Sequence, residues 1–185
     1  QVIAETLGVR FDAVYTESGD GGTTPYGGGS WASRGLAIGG EAARLASLDL
    51  RKKILGVAAA ISQVSPEKLS MVAGEIFKDG KSLMDLAELA QIVHFRQYTL
   101  PQDLDFEMNV TRHFLPRSFP YFMANGIQAS YLEVDLGTGS IKLLDHWIVG
   151  DCGTVVNPML VDEQLRGGIV QGLGAALYEQ AIYDN

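Results

Sequence analysis

Between Thr23 and Leu50 the chain reads TTPYGGGSWASRGLAIGGEAARLASLDL, which sets glycines, hydroxyls and Arg34 directly ahead of a helical pattern. A helix N-terminus offers backbone N–H groups without intrahelical partners and a partial positive charge, so it attracts anions. Glycines let a ligand approach the backbone closely, and successive amides can form an anion-binding nest. A guanidinium adds a forked donor that matches phosphate oxygens. These ingredients suit a phosphorylated or pyrophosphate-bearing ligand. The familiar phosphate loops are nevertheless absent: there is no G-x-x-x-x-G-K-[ST], and the glycine spacing never satisfies G-x-G-x-x-G. The plain structural alternative is a flexible loop that joins two elements.

A second chemistry is suggested by GGSWA at 28–32, one residue short of the G-x-S-x-G nucleophile elbow because Ala32 stands where glycine is needed. A serine hydrolase would use Ser30 as nucleophile with His94, His113 or His146 as base, and no acid partner stands out. The third unusual stretch is DCGTVVNPMLVDEQLRGGIVQGLGAALYEQ, residues 151–180. A helix carrying Gly167, Gly168, Gly172 and Gly174 gives up roughly 1 kcal/mol per interior glycine relative to alanine. Either close packing against another element or the approach of a ligand must offset that loss.

The elements that would position these residues follow from periodicity. Residues 1–7 read as the end of a helix closed by Gly8, and VRFDAVYTES reads as a strand. The segment Gly19–Gly29 holds six of the 22 glycines and is a loop. From Leu36 to about Ser62 the spacing is helical, with Ala42, Leu45, Leu48, Leu55 and Ala59 on one face. KLSMVAGEIFKDGKSL has turn points at Ala73-Gly74 and Asp79-Gly80. Ser82 and Asp85 resemble a capping box for a helix from Leu83 to about Val93. DFEMNVTRHF alternates like a strand. Residues 127–135 and 141–149 read as a hairpin around DLGTGS. Asn157-Pro158 opens a last helix that runs to about Gln180. Helices and largely antiparallel strands fall in separate blocks, so the expected class is α+β, with long helices on a mainly antiparallel sheet.

Composition narrows the function classes. The chain of 185 residues, 46% hydrophobic and 19% charged, is ordinary for a folded domain or a large piece of a bigger protein. A net charge of −8 argues against a nucleic-acid partner. The one basic run, Arg51-Lys52-Lys53, reads as a solvated helix face. No apolar run is long enough to span a membrane, and none resembles a signal peptide. The single cysteine, Cys152, fits a reducing, cytoplasmic setting, is expected to be buried, and cannot alone hold an iron–sulfur cluster. The start at Gln1 and the end at Asn185 both fall inside apolar-periodic stretches, so we expect a segment of a larger domain truncated at both ends.

The two glycine-bearing stretches together resemble the molybdenum-cofactor-binding domain of the molybdenum hydroxylases, the group of xanthine dehydrogenase, aldehyde oxidoreductase and carbon monoxide dehydrogenase large subunits. The residues that carry the resemblance are Gly19-Asp20, the run from Thr24-Pro25-Tyr26 to Ser33-Arg34, and the pattern from Asp151-Cys152-Gly153 to Glu179. AETLGV, ahead of the first loop, matches as well. The resemblance implies that Ala32, Ser33, Arg34 and Gly35 lie against the metal centre and its pterin, and that Gln164 hydrogen-bonds the pterin. It implies a molybdopterin cofactor, plain or carrying a cytidine nucleotide, with iron–sulfur and FAD centres in other domains or subunits. It also implies partners in the rest of the large subunit and a small aldehyde or N-heterocycle as substrate. The family's general-base glutamate would follow Asn185 and its preceding glycine-bearing stretch would lie before Gln1, so no catalytic residue and no direct metal ligand is expected in this chain. Gly21 stands where many relatives have threonine. The alternative to an enzyme part is a non-catalytic packing module.

Overall fold

The computed structural model describes residues 1–24, 26–117 and 123–184; Pro25 of the first motif and Asn185 at the chain end lie outside them. The chain divides into two compact units, Gln1–Phe122 and Met123–Asn185. The secondary structure is α+β with antiparallel sheets throughout, as expected. No helix among the described residues is long and apolar enough to cross a membrane.

The first unit is organised around helix α2, Glu41–Ser62, which at 22 residues is about 33 Å long. One wider π-helical turn, Gly35–Gly40, leads into it. Only Leu36, Ala37 and Ile38 of this turn carry side chains, so three glycines leave room for the looser winding. Short helix α1, Val2–Leu7, ends at Gly8 in the left-handed region (φ 84°), whose amide donates to the Ala4 carbonyl. Three short strands follow α2: β1 Leu69–Val72, β2 Glu75–Lys78 and β3 Lys81–Asp85, paired antiparallel in the order β1-β2-β3. The turns fall at the expected Ala73-Gly74 and Asp79-Gly80, and all four residues have positive φ. Helix α3, Leu86–Phe95, then packs back. Ile54, Val57 and Ala58 of α2 meet Leu69, Met71, Ile76 and Met84 of the sheet and Leu89 and Val93 of α3 in one apolar core.

Four expectations are corrected here. VRFDAVYTES is not a strand: Phe11–Ala13 form a single 3-10 turn, and Tyr15 is almost fully exposed. β propensity without a partner strand supplies no ladder. The capping residue of α3 is Asp85, whose carboxylate accepts from the Glu88 amide, while Ser82 sits within β3. DFEMNVTRHF forms no ladder either, yet its alternation is real: Phe106, Met108 and Val110 are half-buried and the residues between them are exposed. The segment lies extended over the core, with Phe106 and Met108 packed on it. On α2, Ile54, Val57 and Ala58 are buried beside Ala59, whereas Leu48 is exposed.

The basic run also divides differently from a solvated face. Lys52 is exposed, but Lys53 binds the Asp105 carboxylate at 3.0 Å and the Glu107 carbonyl at 3.0 Å, tying down the extended segment. Half-buried Arg51 donates to the carbonyls of Thr6 and Leu7 at 3.2 Å and of Met71 at 3.3 Å.

The second unit is a hairpin with one helix. Strand β4, Asn125–Val134, pairs with β5, Ile141–Asp151, across the expected turn. The Asp135 carboxylate accepts from the amides of Gly137 and Thr138, and these bonds hold it below the ordinary carboxylate range. Cys152, just beyond β5, is exposed rather than buried. Helix α4, Pro158–Leu177, is capped by Asn157, whose side chain accepts from the amides of Met159 and Leu160. It stops three residues short of Gln180. Val161, Leu165, Ile169, Leu173 and Leu177 recur every fourth position and are half-buried, and Leu165 lies against Gly150 of β5.

Three of the four α4 glycines do not serve packing among the described residues. A Cβ built at Gly167, Gly168 or Gly172 would meet nothing within 4 Å there, whereas one at Gly174 would stand 3.1 Å from Glu179 Oε1. Alanine at Gly168 is therefore expected to stabilise the chain by about 0.5–1 kcal/mol, the helix-propensity difference. Chemical denaturation followed by circular dichroism measures it. A destabilisation would show that the glycine has a structural role within the chain.

Candidate functional site

Arg34, Trp31 and the carbonyls of Gly28 and Gly29 form one knot at the entry to α2. The guanidinium of Arg34 donates through Nη2 to the Gly28 carbonyl at 2.7 Å and to the Gly29 carbonyl at 2.9 Å. Its Nε reaches the Gly29 carbonyl at 3.2 Å. The same guanidinium stacks on the Trp31 ring, 4.2 Å from its centroid. Trp31 in turn donates its Nε1–H to the Gly28 carbonyl at 2.9 Å. Arg34 is thereby buried to 9% exposure, unusual for an arginine and tolerable because Nη2 and Nε are satisfied by carbonyls.

The chain between these anchors turns sharply. Ala32 and Ser33 both adopt left-handed backbone, at φ 52° and 53°, where residues other than glycine are uncommon. Two such residues in succession form the centre of a tight turn, which the Arg34 amide closes by donating to the Trp31 carbonyl at 3.3 Å. Each costs of order 1–3 kcal/mol and persists only where neighbours hold it, which the Arg34 knot does. Gly35 follows at the mouth of the π-helical turn, and a Cβ there would stand 2.9 Å from Ser30 Oγ. Gly27 has open space around it, and Tyr26 is fully exposed.

The four loop residues anticipated from sequence, Ala32, Ser33, Arg34 and Gly35, thus form one contiguous turn. Gln164, the fifth, stands in the second unit at an exposed position on α4, one residue before the inward-facing Leu165. Trp31 was missed. The spacing W-x-x-R could have signalled it, since a tight turn brings positions i and i+3 together. A groove of about 630 Å³ between α3 and the segment 104–109, lined by His94, Gln97, Asp105 and Glu107, contains none of the five anticipated cofactor-binding residues.

The hydrolase constellation does not assemble. Both ring nitrogens of His146 are engaged across the hairpin, Nδ1 with Ser130 Oγ at 2.9 Å and Nε2 with Gln128 Oε1 at 3.1 Å. Among the described residues no hydrogen bond joins Ser30 to His94 or His113.

The decisive observation covers the chain from end to end: the family model described as molybdopterin cofactor-binding domain matches residues 1–185. The chain belongs to that family.

Known members agree with this placement. The large subunit of nicotine 6-hydroxylase from Paenarthrobacter nicotinovorans is 33% identical over the whole chain, which covers 23% of that protein. The carbon monoxide dehydrogenase large chain of Hydrogenophaga pseudoflava is 28% identical, again over the whole chain, with 22% of its own length covered. Among solved structures, quinoline 2-oxidoreductase from Pseudomonas putida 86 superposes with a TM-score of 0.87 at 32% identity, covering all of this chain and 23% of that one. The chain therefore spans less than a quarter of the length of these relatives.

Proposed function

We propose that this chain is the part of a molybdenum hydroxylase or dehydrogenase large subunit that holds the pterin cofactor. The observation that carries the reading is the turn at Ala32–Ser33, two consecutive left-handed residues braced at the entry to α2. The donor chemistry beside it fits a pterin with a phosphate-bearing tail: from Gly35 onward the chain enters the helix, and the first amides of a helix have no intrahelical acceptors. When bound, the cofactor supplies the redox chemistry, while this chain supplies orientation and hydrogen bonds. Ala32, Ser33, Arg34, Gly35 and Gln164 are the residues assigned to that task.

The substrate class we favour is an N-heterocycle, ahead of an aldehyde, because two of the relatives named above act on nicotine and quinoline. Electrons would leave through iron–sulfur and flavin centres held by other domains or subunits, in the cytoplasm. The 185 residues by themselves are expected to be inactive, since they span less than a quarter of the relatives' length. Metal analysis and pterin quantification of the full-length parent test the assignment, together with turnover of an N-heterocycle by the parent and by the chain alone. Parent protein without molybdenum or pterin, or turnover by the isolated chain, would sink it.

A further inference from the structure

We infer that Arg34 acts on the ligand only through the loop, as a positioning strut, and does not itself grip a phosphate. This rests on the cofactor-holding role proposed above and refines it. A guanidinium at the mouth of a helix is the natural partner of an anion, but here Nη2 and Nε turn inward. Nη2 reaches two successive carbonyls and Nε returns to one of them, so the fork spans the Gly28–Gly29 peptide. The flat face of the same group rests on Trp31, and Trp31 bonds the same Gly28 carbonyl. Side chain, ring and carbonyls lock one another. At 9% exposure the residue as a whole offers little surface to an arriving ligand.

The sequence around the knot is fitted to it. A Cβ at Gly28 would stand 2.7 Å from Nη2, so a side chain there would push the guanidinium off its present position. The knot ties residue 34 back to residues 28 and 29, and Ala32 and Ser33 are the two residues whose uncommon backbone is enclosed by that closure. With the fork released, the strained turn relaxes and the amides at the helix entry lose their fixed direction. Planarity and two donor directions are what the site uses, more than charge. A lysine, a point charge on a flexible stem, reproduces neither the fork nor the stack.

The test separates shape from charge in the full-length parent, using Arg34→Lys, Arg34→Ala and Trp31→Phe. Molybdenum and pterin per chain are measured alongside hydrogen–deuterium exchange of the 26–35 segment. The expected result is that Arg34→Lys behaves like Arg34→Ala: cofactor content falls by more than about fivefold, as loss of charge-assisted bonds implies, and the segment exchanges faster. Trp31→Phe, which keeps a ring but loses the bond to Gly28, gives faster exchange and an intermediate content. An Arg34→Lys protein with more than half the wild-type cofactor overturns the inference. Cofactor loss without faster exchange overturns it too, because that pattern marks a direct ligand. If neither Arg34 variant folds, Trp31→Phe decides, and wild-type exchange and content in it would be fatal. Wild-type parent lacking molybdenum and pterin refutes the cofactor-holding role instead, so the two failures are distinguishable.

Discussion

Gly8→Ala lowers the thermal midpoint of the first unit by roughly 10–20 °C, a cost of about 3–5 kcal/mol at a few degrees per kcal/mol. Two penalties combine. Gly8 closes α1 at φ 84°, and a side chain in that region costs about 1 kcal/mol by itself. A Cβ there would also stand 2.5 Å from the Met71 carbonyl oxygen and 2.9 Å from Arg51 Nη1. The first is backbone of β1 and cannot swing aside. The Gly8 carbonyl additionally accepts from the Gly74 amide at 2.9 Å, and Gly74 accepts from Leu86 at 3.0 Å, so a shift at residue 8 is passed to the β1–β2 turn and to α3. Gly80→Ala is the control. Its φ is 75°, but nothing lies within 4 Å of the added Cβ, so only the backbone penalty of about 1 kcal/mol applies. Equal midpoints for the two variants would show that the close approach to Met71 contributes nothing.

Arg51→Met is the second large effect, about 2–3 kcal/mol. The substitution keeps most of the aliphatic packing and deletes the bonds to Thr6, Leu7 and Met71. Thr6 and Leu7 belong to the last turn of α1, whose carbonyls have no helical donors ahead of them, and a cation there also meets the negative end of the helix. Bonds of 3.2–3.3 Å lie at the long end of the normal range, so each is assigned about 1 kcal/mol rather than the full value for a charged donor. Arg51→Lys should recover part of the loss, since an ammonium can reach one carbonyl but not three. Denaturant unfolding gives the magnitudes, and faster hydrogen exchange at the Gly74 amide locates the damage. Because Gly8 and Arg51 touch, the double variant should cost less than the sum of the two. Strict additivity, or an Arg51→Met protein as stable as wild type, would show that the three carbonyls are equally well served by water.

Local chemistry was legible wherever one or two residues decide a conformation. Gly8, Ala73-Gly74, Asp79-Gly80 and the Asn157-Pro158 opening were all placed by sequence and all stand where expected. Burial periodicity was legible too, even in residues 105–114, where alternation reports a face turned to the core and not a strand. Pairing was not legible. VRFDAVYTES has strand-like composition, but a ladder needs a second chain segment, and local propensity says nothing about whether one is near.

The site divides along the same line. Sequence by itself determined which residues gather at the entry to α2, since the motif is contiguous, and it determined the family through two long patterns in fixed order. Only the tertiary structure decided that Arg34 faces inward onto Gly28 and Gly29, that Trp31 stacks on it, and that Arg51 clamps elements 44, 45 and 20 residues away. The physical reason is that a guanidinium has five donors and no preferred partner. Its composition announces that it will bind something, while the choice between a ligand oxygen and a backbone carbonyl depends on which oxygens the fold brings within about 3 Å.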